Sequence, residues 1–146
     1  MQKIFTIFLL LLVQIIPVGI SNTIAAPTSS DNIIWASKDS KGNAKVHLYI
    51  FWSKTCPHCH EALGYMKKAQ KQYPWVKVHL KEITDNQKNL DDYNRMASSL
   101  GEPADVVPAF FFCEMMYAGY NGNSTGEWII DTMKSCGKQQ AKVSLP

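Results

Sequence analysis

The segment from Val46 to Cys59 restricts the possible folds of this chain more than any other part of it. Val46 to Trp52 is a run of β-branched and aromatic residues, which predicts a strand buried on both faces. A short polar stretch follows, and then the tetrapeptide Cys56-Pro57-His58-Cys59. Because proline is favoured in the first turn of a helix, we expect a helix from about Pro57 to Gln72. A pair of cysteines therefore lies where a buried strand gives way to a helix.

Strands and helices alternate along the rest of the chain. From Trp75 to Ile83, valine and leucine alternate with lysine and histidine, which is the period of a half-buried strand. We expect the later elements in this order: a helix at 89–100 with Thr84 and Asp85 as candidate caps, strands at 106–113 and 115–120, and a helix at 127–135 followed by Gly137. Phe110, Phe111 and Phe112 are interpreted as core residues of a central strand. The order β-α-β-α-β-β-α predicts an α/β fold with a central mixed sheet flanked by helices.

The N-terminus has the pattern of a secretory signal peptide. Lys3 precedes an apolar run from Ile4 to Ile16, and small residues follow, with cleavage expected after Ala25 or Ala26. The alternative is an uncleaved anchor, but the run is shorter than the ~20 apolar residues of a typical spanning helix. We therefore expect a periplasmic or secreted protein without a membrane span in the mature chain.

The chain divides into four expected segments. Residues 1–25 form the signal peptide, 26–44 a polar lead-in with a short strand or turn, 45–137 the folded domain, and 138–146 a C-terminal tail. The formal net charge of +3 is too small to indicate nucleic-acid binding.

The element order, the Cys-x-x-Cys at the first helix and the Val107-Pro108 pair opening the third strand resemble the thioredoxin superfamily over residues 45–137. The Cys-Pro-His-Cys motif resembles the periplasmic disulfide-introducing enzymes of the DsbA type. The rest of the domain is more similar to a minimal thioredoxin or glutaredoxin, because it lacks the helical insertion of the DsbA-type enzymes. The resemblance implies a cis Pro108, beside which the backbone of Val107 pairs with an extended substrate. A trans proline at a strand edge is the alternative.

Cys56 is expected at the N-cap of the first helix, where unpaired backbone N–H groups stabilise an anion. A cysteine in this setting has a lowered pKa, so we interpret Cys56 as the nucleophile and Cys59 as the resolving thiol. His58 lies between them and is expected to stabilise the Cys56 thiolate, which makes the disulfide more oxidising. The alternative is that His58 only faces solvent.

Metal binding is the competing interpretation of this motif. Cys56, His58, Cys59 and His60 have suitable donor atoms for zinc or copper, but adjacent helix positions point in different directions. We therefore expect neither a metal nor a cofactor. His47 and His79 are interpreted as ordinary surface or edge histidines. The enzymes that the motif resembles often bury an acidic residue six positions before the first cysteine, where this chain has Ile50. Proton transfer to Cys59 would then have to use water, Glu61 or another group.

Cys113 and Cys136 are expected to form a separate, structural disulfide. In the fold that the resemblance implies, the third strand runs from Pro108 to Cys113 and the last helix returns to the same end at Cys136. An exported protein with an even number of cysteines also favours pairing. Two separate buried thiols are the alternative.

These features together predict thiol–disulfide exchange on protein substrates outside the cytoplasm, with oxidation as the favoured direction. The expected partners are protein thiols or disulfides and an unidentified redox partner. A thioredoxin-type reductase and a non-catalytic module that binds a partner or a metal are the alternatives.

Overall fold

A computed structural model of the chain describes residues 33–143. The expected signal peptide at 1–25 and the first residues of the lead-in lie outside the described residues. The described elements are β1 (Ala36–Lys38), β2 (Ala44–Trp52), α1 (Pro57–Gln72), β3 (Val76–Glu82), α2 (Gln87–Ser99), β4 (Ala109–Phe112), β5 (Met115–Ala118) and α3 (Asn123–Val143). The expectation of an α/β fold is confirmed.

The sheet is built around β2. Strand β3 pairs with β2 in parallel along residues 46–52. Strands β4 and β1 pair antiparallel with residues 49–51 and 44–46 of β2. Because β3 occupies one edge of β2, β1 and β4 share the other edge, and β5 extends the sheet antiparallel to β4. The sheet is therefore mixed, and α1 connects its parallel pair.

Helices cover both faces of this sheet. Helices α1 and α3 pack on the face that carries Ile50, Phe110 and Phe112. Helix α2 packs on the opposite face against Phe51 and Phe111. The three consecutive phenylalanines are fully buried, which confirms their interpretation as core residues. No helix among residues 33–143 is long and apolar enough to cross a bilayer.

Two expected helix boundaries were wrong. The cap of α2 is Asn86, whose side-chain oxygen accepts the backbone N–H of Asn89 at 3.0 Å. Helix α3 begins at Asn123 and continues through Gly137 to Val143, so the first part of the expected tail is helical. Gly137 does not end the helix. A Cβ atom at this position would lie 2.8 Å from Cγ2 of Val46, so close packing requires the glycine.

The interpretation of His47 as a surface or edge residue was also wrong. Only 3% of His47 is exposed. Its Nε2 lies 2.8 Å from the Ser37 hydroxyl and its Nδ1 lies 3.0 Å from Nε2 of His79. The rings of His79 and Tyr49 are also stacked. The short strand β1 covers His47, and the sequence pattern of β2 alone does not indicate this tertiary contact.

Candidate redox site

A disulfide joins Cys56 and Cys59, whose Cα atoms are 5.2 Å apart. Cys56 is the N-cap of α1 and Pro57 occupies its first turn, as the sequence predicts. Cys59 lies in the first turn of the helix and is completely buried, whereas Cys56 is half-buried. An incoming thiol therefore reaches the sulfur of Cys56 more readily than that of Cys59.

The surroundings of Cys56 favour negative charge on its sulfur. Sγ of Cys56 accepts the backbone N–H of Cys59 at 3.1 Å. The first turn of α1 contains no acidic residue that would oppose an anion. Since the N-terminus of a helix also carries partial positive charge, a thiolate formed at Cys56 is stabilised.

His58 lies on the solvent side of the pair. Its side chain is 68% exposed, and Nδ1 is 3.6 Å from Oε2 of Glu61 in the next turn. A charged His58 would thus be paired with this carboxylate. Because water screens exposed charges, its effect on the thiolate is modest.

The loop before β4 forms the opposite wall of the site. The Val107–Pro108 peptide bond is cis, as the resemblance implies. Pro108 is fully buried, and the carbonyl oxygen of Val107 lies 3.6 Å from Sγ of Cys56. Tyr93 donates its hydroxyl to the carbonyl of Val106 at 2.7 Å, and Gly119 N–H donates to the carbonyl of Pro108 at 2.8 Å. Hydrogen bonds from α2 and from the residue after β5 therefore hold this loop in place.

The loop between β2 and Cys56 is fixed by a second set of contacts. Oγ1 of Thr84 accepts the N–H of Lys54 at 3.0 Å and lies 3.1 Å from the Ser53 hydroxyl. Lys54 also forms an ion pair with Asp85. His60 Nε2 donates to the Lys54 carbonyl at 2.8 Å. The loops after two neighbouring strands are thereby tied together beside the disulfide.

Tyr93 and Thr84 are site-supporting residues that the sequence analysis did not identify. Thr84 was interpreted as a helix cap, and Tyr93 has the pattern of an ordinary apolar-face residue in a helix. Their hydrogen bonds connect segments that are distant in sequence, and no local pattern indicates such partners.

The position six residues before Cys56 is apolar. Ile50 is completely buried and packs in the core with Ala62 and Phe110. The structure thus places no proton acceptor there, and Glu61, two residues along α1 from Cys59, is 60% exposed.

The histidines at positions 58 and 60 do not form a metal-ligand cluster with the two cysteines. Within residues 33–143, no group of three or more histidine, cysteine, aspartate or glutamate side chains is arranged to hold a metal ion. His60 is directed to the Lys54 carbonyl, and its ring lies edge-on to that of Trp52 at 5.9 Å.

A second disulfide joins Cys113 and Cys136, whose Cα atoms are 6.2 Å apart. It is the pairing expected from the sequence. Cys113 follows the last residue of β4 whereas Pro108 precedes the first, so the length of this strand, about 13 Å at 3.3 Å per residue, lies between the redox site and the second bridge. This disulfide ties the β4–β5 turn to α3.

No protein-family model matches the chain, and no curated protein or solved structure is significantly similar to it. Function is therefore inferred from the residues of the site.

Proposed function

We propose that this protein is a thiol–disulfide oxidoreductase with a thioredoxin-like fold, acting on protein substrates through Cys56 and Cys59. The fold assignment is supported by a parallel strand pair connected by α1, followed by an antiparallel hairpin and a closing helix. The observation that carries the functional assignment is the N-cap cysteine, half-buried and hydrogen-bonded to a backbone N–H, disulfide-bonded to a completely buried partner.

The exchange proceeds in two steps. A substrate thiolate attacks Sγ of Cys56, the Cys56–Cys59 bond breaks, and its electron pair passes to Cys59, which takes up a proton. A second substrate thiolate then attacks the substrate sulfur of the mixed disulfide and releases Cys56 as a thiolate. The substrate loses two electrons and forms a disulfide, while the cysteine pair of the enzyme is reduced. A separate oxidant, such as a disulfide of a redox partner, restores the pair.

The favoured direction is oxidation of the substrate. The N–H of Cys59 and the helix terminus stabilise the Cys56 thiolate, which is present only in the reduced enzyme. Stabilising the reduced form raises the reduction potential of the couple. A reductase cycle has less support, because buried Ile50 occupies the position, six residues before Cys56, where the enzymes that the motif resembles often carry an acidic residue.

The backbone of Val107 is proposed to hold the substrate. Its carbonyl oxygen lies beside Sγ of Cys56, and the loop is fixed by Tyr93 and Gly119. An extended peptide that pairs with this backbone would bring its cysteine to Cys56. We place the reaction in the periplasm or outside the cell, as the sequence of residues 1–25 predicts.

Trapping of the mixed disulfide tests this function. With a peptide disulfide as substrate, Cys59→Ser should accumulate a covalent adduct on Cys56, because no second thiol remains to resolve it. Cys56→Ser should form no adduct at the buried Cys59, and a variant with both Cys113→Ser and Cys136→Ser should exchange as the wild type does. Mass mapping of the adducts locates the reacting sulfur. Trapping by Cys56→Ser and not by Cys59→Ser would reverse the assignment.

A further inference from the structure

The loop between β5 and α3 contains the dipeptide Asn121-Gly122, the only Asn-Gly pair in the sequence. Both residues are exposed, and neither belongs to a strand or a helix. Gly122 has a φ angle of 73°, a conformation that glycine adopts without strain. Because glycine has no Cβ atom, its backbone nitrogen is the least shielded from the side chain of the preceding residue.

The two groups of this dipeptide that can react with each other have no competing contacts. Within the described residues, neither the side-chain amide of Asn121 nor the backbone N–H of Gly122 forms a hydrogen bond. The backbone of Asn121 is held, because its N–H donates to Oγ1 of Thr125 at 3.1 Å and its carbonyl accepts the Ser124 hydroxyl at 3.3 Å. The loop is therefore anchored to the first turn of α3 while these two groups remain open to solvent.

The other asparagines among residues 33–143 differ from Asn121. None of them precedes glycine. Four have side chains engaged in hydrogen bonds of 2.8 to 3.1 Å, namely Asn43, Asn86, Asn89 and Asn94. Asn123 is the first residue of α3 and precedes Ser124, whose side chain shields its own backbone nitrogen more than a glycine would. Asn121 is therefore the asparagine most open to attack by the nitrogen that follows it.

We propose that Asn121 is a site of spontaneous covalent modification, namely deamidation through a succinimide. The backbone nitrogen of Gly122 attacks Cγ of Asn121 and forms a new C–N bond. The bond from Cγ to the side-chain nitrogen breaks, and that nitrogen leaves as ammonia with the proton from Gly122. Water then opens the ring at either carbonyl, which gives aspartate or isoaspartate. Water is the only co-reactant, and no oxidation or reduction takes place.

The modification would change the start of α3. Asn121 lies just before Asn123, the first residue of this helix, and the first turn contains no acidic residue. Since a helix N-terminus favours negative charge, the aspartate product should stabilise α3. The isoaspartate product instead lengthens the main chain by one carbon atom, which disturbs the contact between Asn121 and Thr125. The two products should therefore shift the melting temperature in opposite directions.

Incubation of the folded, oxidised protein at physiological pH and temperature tests the proposal. Mass mapping of digests locates each amide that becomes an acid, and labelling with an isoaspartyl methyltransferase distinguishes the two products. Asn121 should convert at least about tenfold faster than any other asparagine at 33–143, which requires only a modest difference in barrier. Its rate should also lie within about tenfold of the rate in the denatured, reduced chain. A greater slowing by the fold, or faster conversion at another asparagine, would overturn the inference.

Substitutions in the dipeptide identify the two reacting groups. Asn121→Gln should abolish conversion in this loop, because a longer side chain closes the ring poorly, and it should retain disulfide exchange. Gly122→Ala should slow conversion at least about tenfold, because a methyl group hinders the attacking nitrogen.

Gly42→Ala is the matched control for the added methyl group. Gly42 and Gly122 both have positive φ angles, and a Cβ atom at either would meet no atom within 4 Å. Gly42→Ala should leave the rate at Asn121 unchanged. Equal rates in the two alanine variants, or conversion of the loop that persists in Asn121→Gln, would contradict the inference.

Discussion

The two sulfur atoms of the Cys56–Cys59 pair differ in solvent access and in hydrogen bonding. Cys59 is completely buried, while Sγ of the half-buried Cys56 accepts a backbone N–H. This difference was predictable, because an N-cap residue and a residue one turn later have different environments in any helix that packs on a sheet. The apolar residue Ile50, six positions before Cys56, was also visible in the sequence. The contacts of Tyr93 and Thr84 were not, because they depend on how distant loops meet.

His58 should make the Cys56–Cys59 couple more oxidising. We expect His58→Leu to raise the pKa of the Cys56 thiol and to lower the reduction potential by roughly 30 mV, a tenfold change in the equilibrium constant. The effect is limited because His58 is 68% exposed. The thiolate absorbance as a function of pH, together with equilibration against glutathione, measures both quantities. Gln70→Leu on the same helix is the control. An unchanged thiol pKa in His58→Leu would show that the imidazole has no influence on the sulfur.

At the level of the strands, β1, β2 and β3 are connected by the pair His47 and His79. Burial lowers the pKa of both histidines, to about 4 for His79, and Lys77 lowers both further. Lys81 and His47 add to the effect on His79. A single proton lies between the two facing nitrogens, and a second proton would place two positive charges in contact. Both imidazoles are therefore neutral in the folded protein near neutral pH.

Stability should consequently fall on the acid side. Unfolded histidine titrates near 6.5, so the unfolded chain binds more protons than the folded protein between pH 6.5 and about 4. The contribution of His79 is fully present above pH 6.5 and is lost as the pH falls. Because the imidazole is partly exposed and water screens its charge, we take this contribution to be on the order of 2 kcal/mol. Denaturant unfolding at several pH values measures this slope. In His79→Gln the slope between pH 6.5 and 4 should be clearly smaller. The same slope in both proteins would exclude the histidine pair as its origin.

The bounds of a helix or strand could be predicted where the residues that set them are close in sequence. The bounds of α1 agree with the prediction because the signals that set them are local. Cys56 caps the helix and Pro57 lies in its first turn. Tyr73, which follows the last helical residue, precedes Pro74, and a residue before proline is disfavoured in helical geometry. The end of α3 and the burial of His47 were missed for the opposite reason. Gly137 is required by contact with Val46, and His47 is covered by β1, and both contacts join residues distant in sequence.

For the whole molecule, the two disulfides have separate expected roles. The Cys56–Cys59 pair lies where β2 meets α1, and the Cys113–Cys136 pair ties the far end of β4 to α3. Cys113 and Glu114 both have positive φ angles, of 52° and 59°, in the turn that the second bridge anchors. The exchange mechanism has no role for this second bridge, so we assign it to stability.

Removing the second disulfide should therefore cost stability without loss of exchange activity. The bridge spans a sequence separation of 23 residues, and closing a loop of this size contributes about 3 kcal/mol in the chain-entropy model. We expect a variant with Cys113→Ser and Cys136→Ser to unfold at lower denaturant concentration by this amount. Its rate of peptide oxidation under folding conditions should match that of the wild type. A large loss of activity in the folded variant would show that the second pair takes part in catalysis.

We propose that the Cys56–Cys59 disulfide is redox-active and that the Cys113–Cys136 disulfide is structural. Equilibration of the oxidised protein with glutathione buffers of graded potential, followed by alkylation and peptide mapping, reports both couples in one experiment. The Cys56–Cys59 couple should be half-reduced at about −200 mV or higher, the range of oxidising and isomerising enzymes. The Cys113–Cys136 couple should resist reduction to about −300 mV or below, as structural disulfides do. Reduction of both pairs at the same potential, or of Cys113–Cys136 first, would contradict the account.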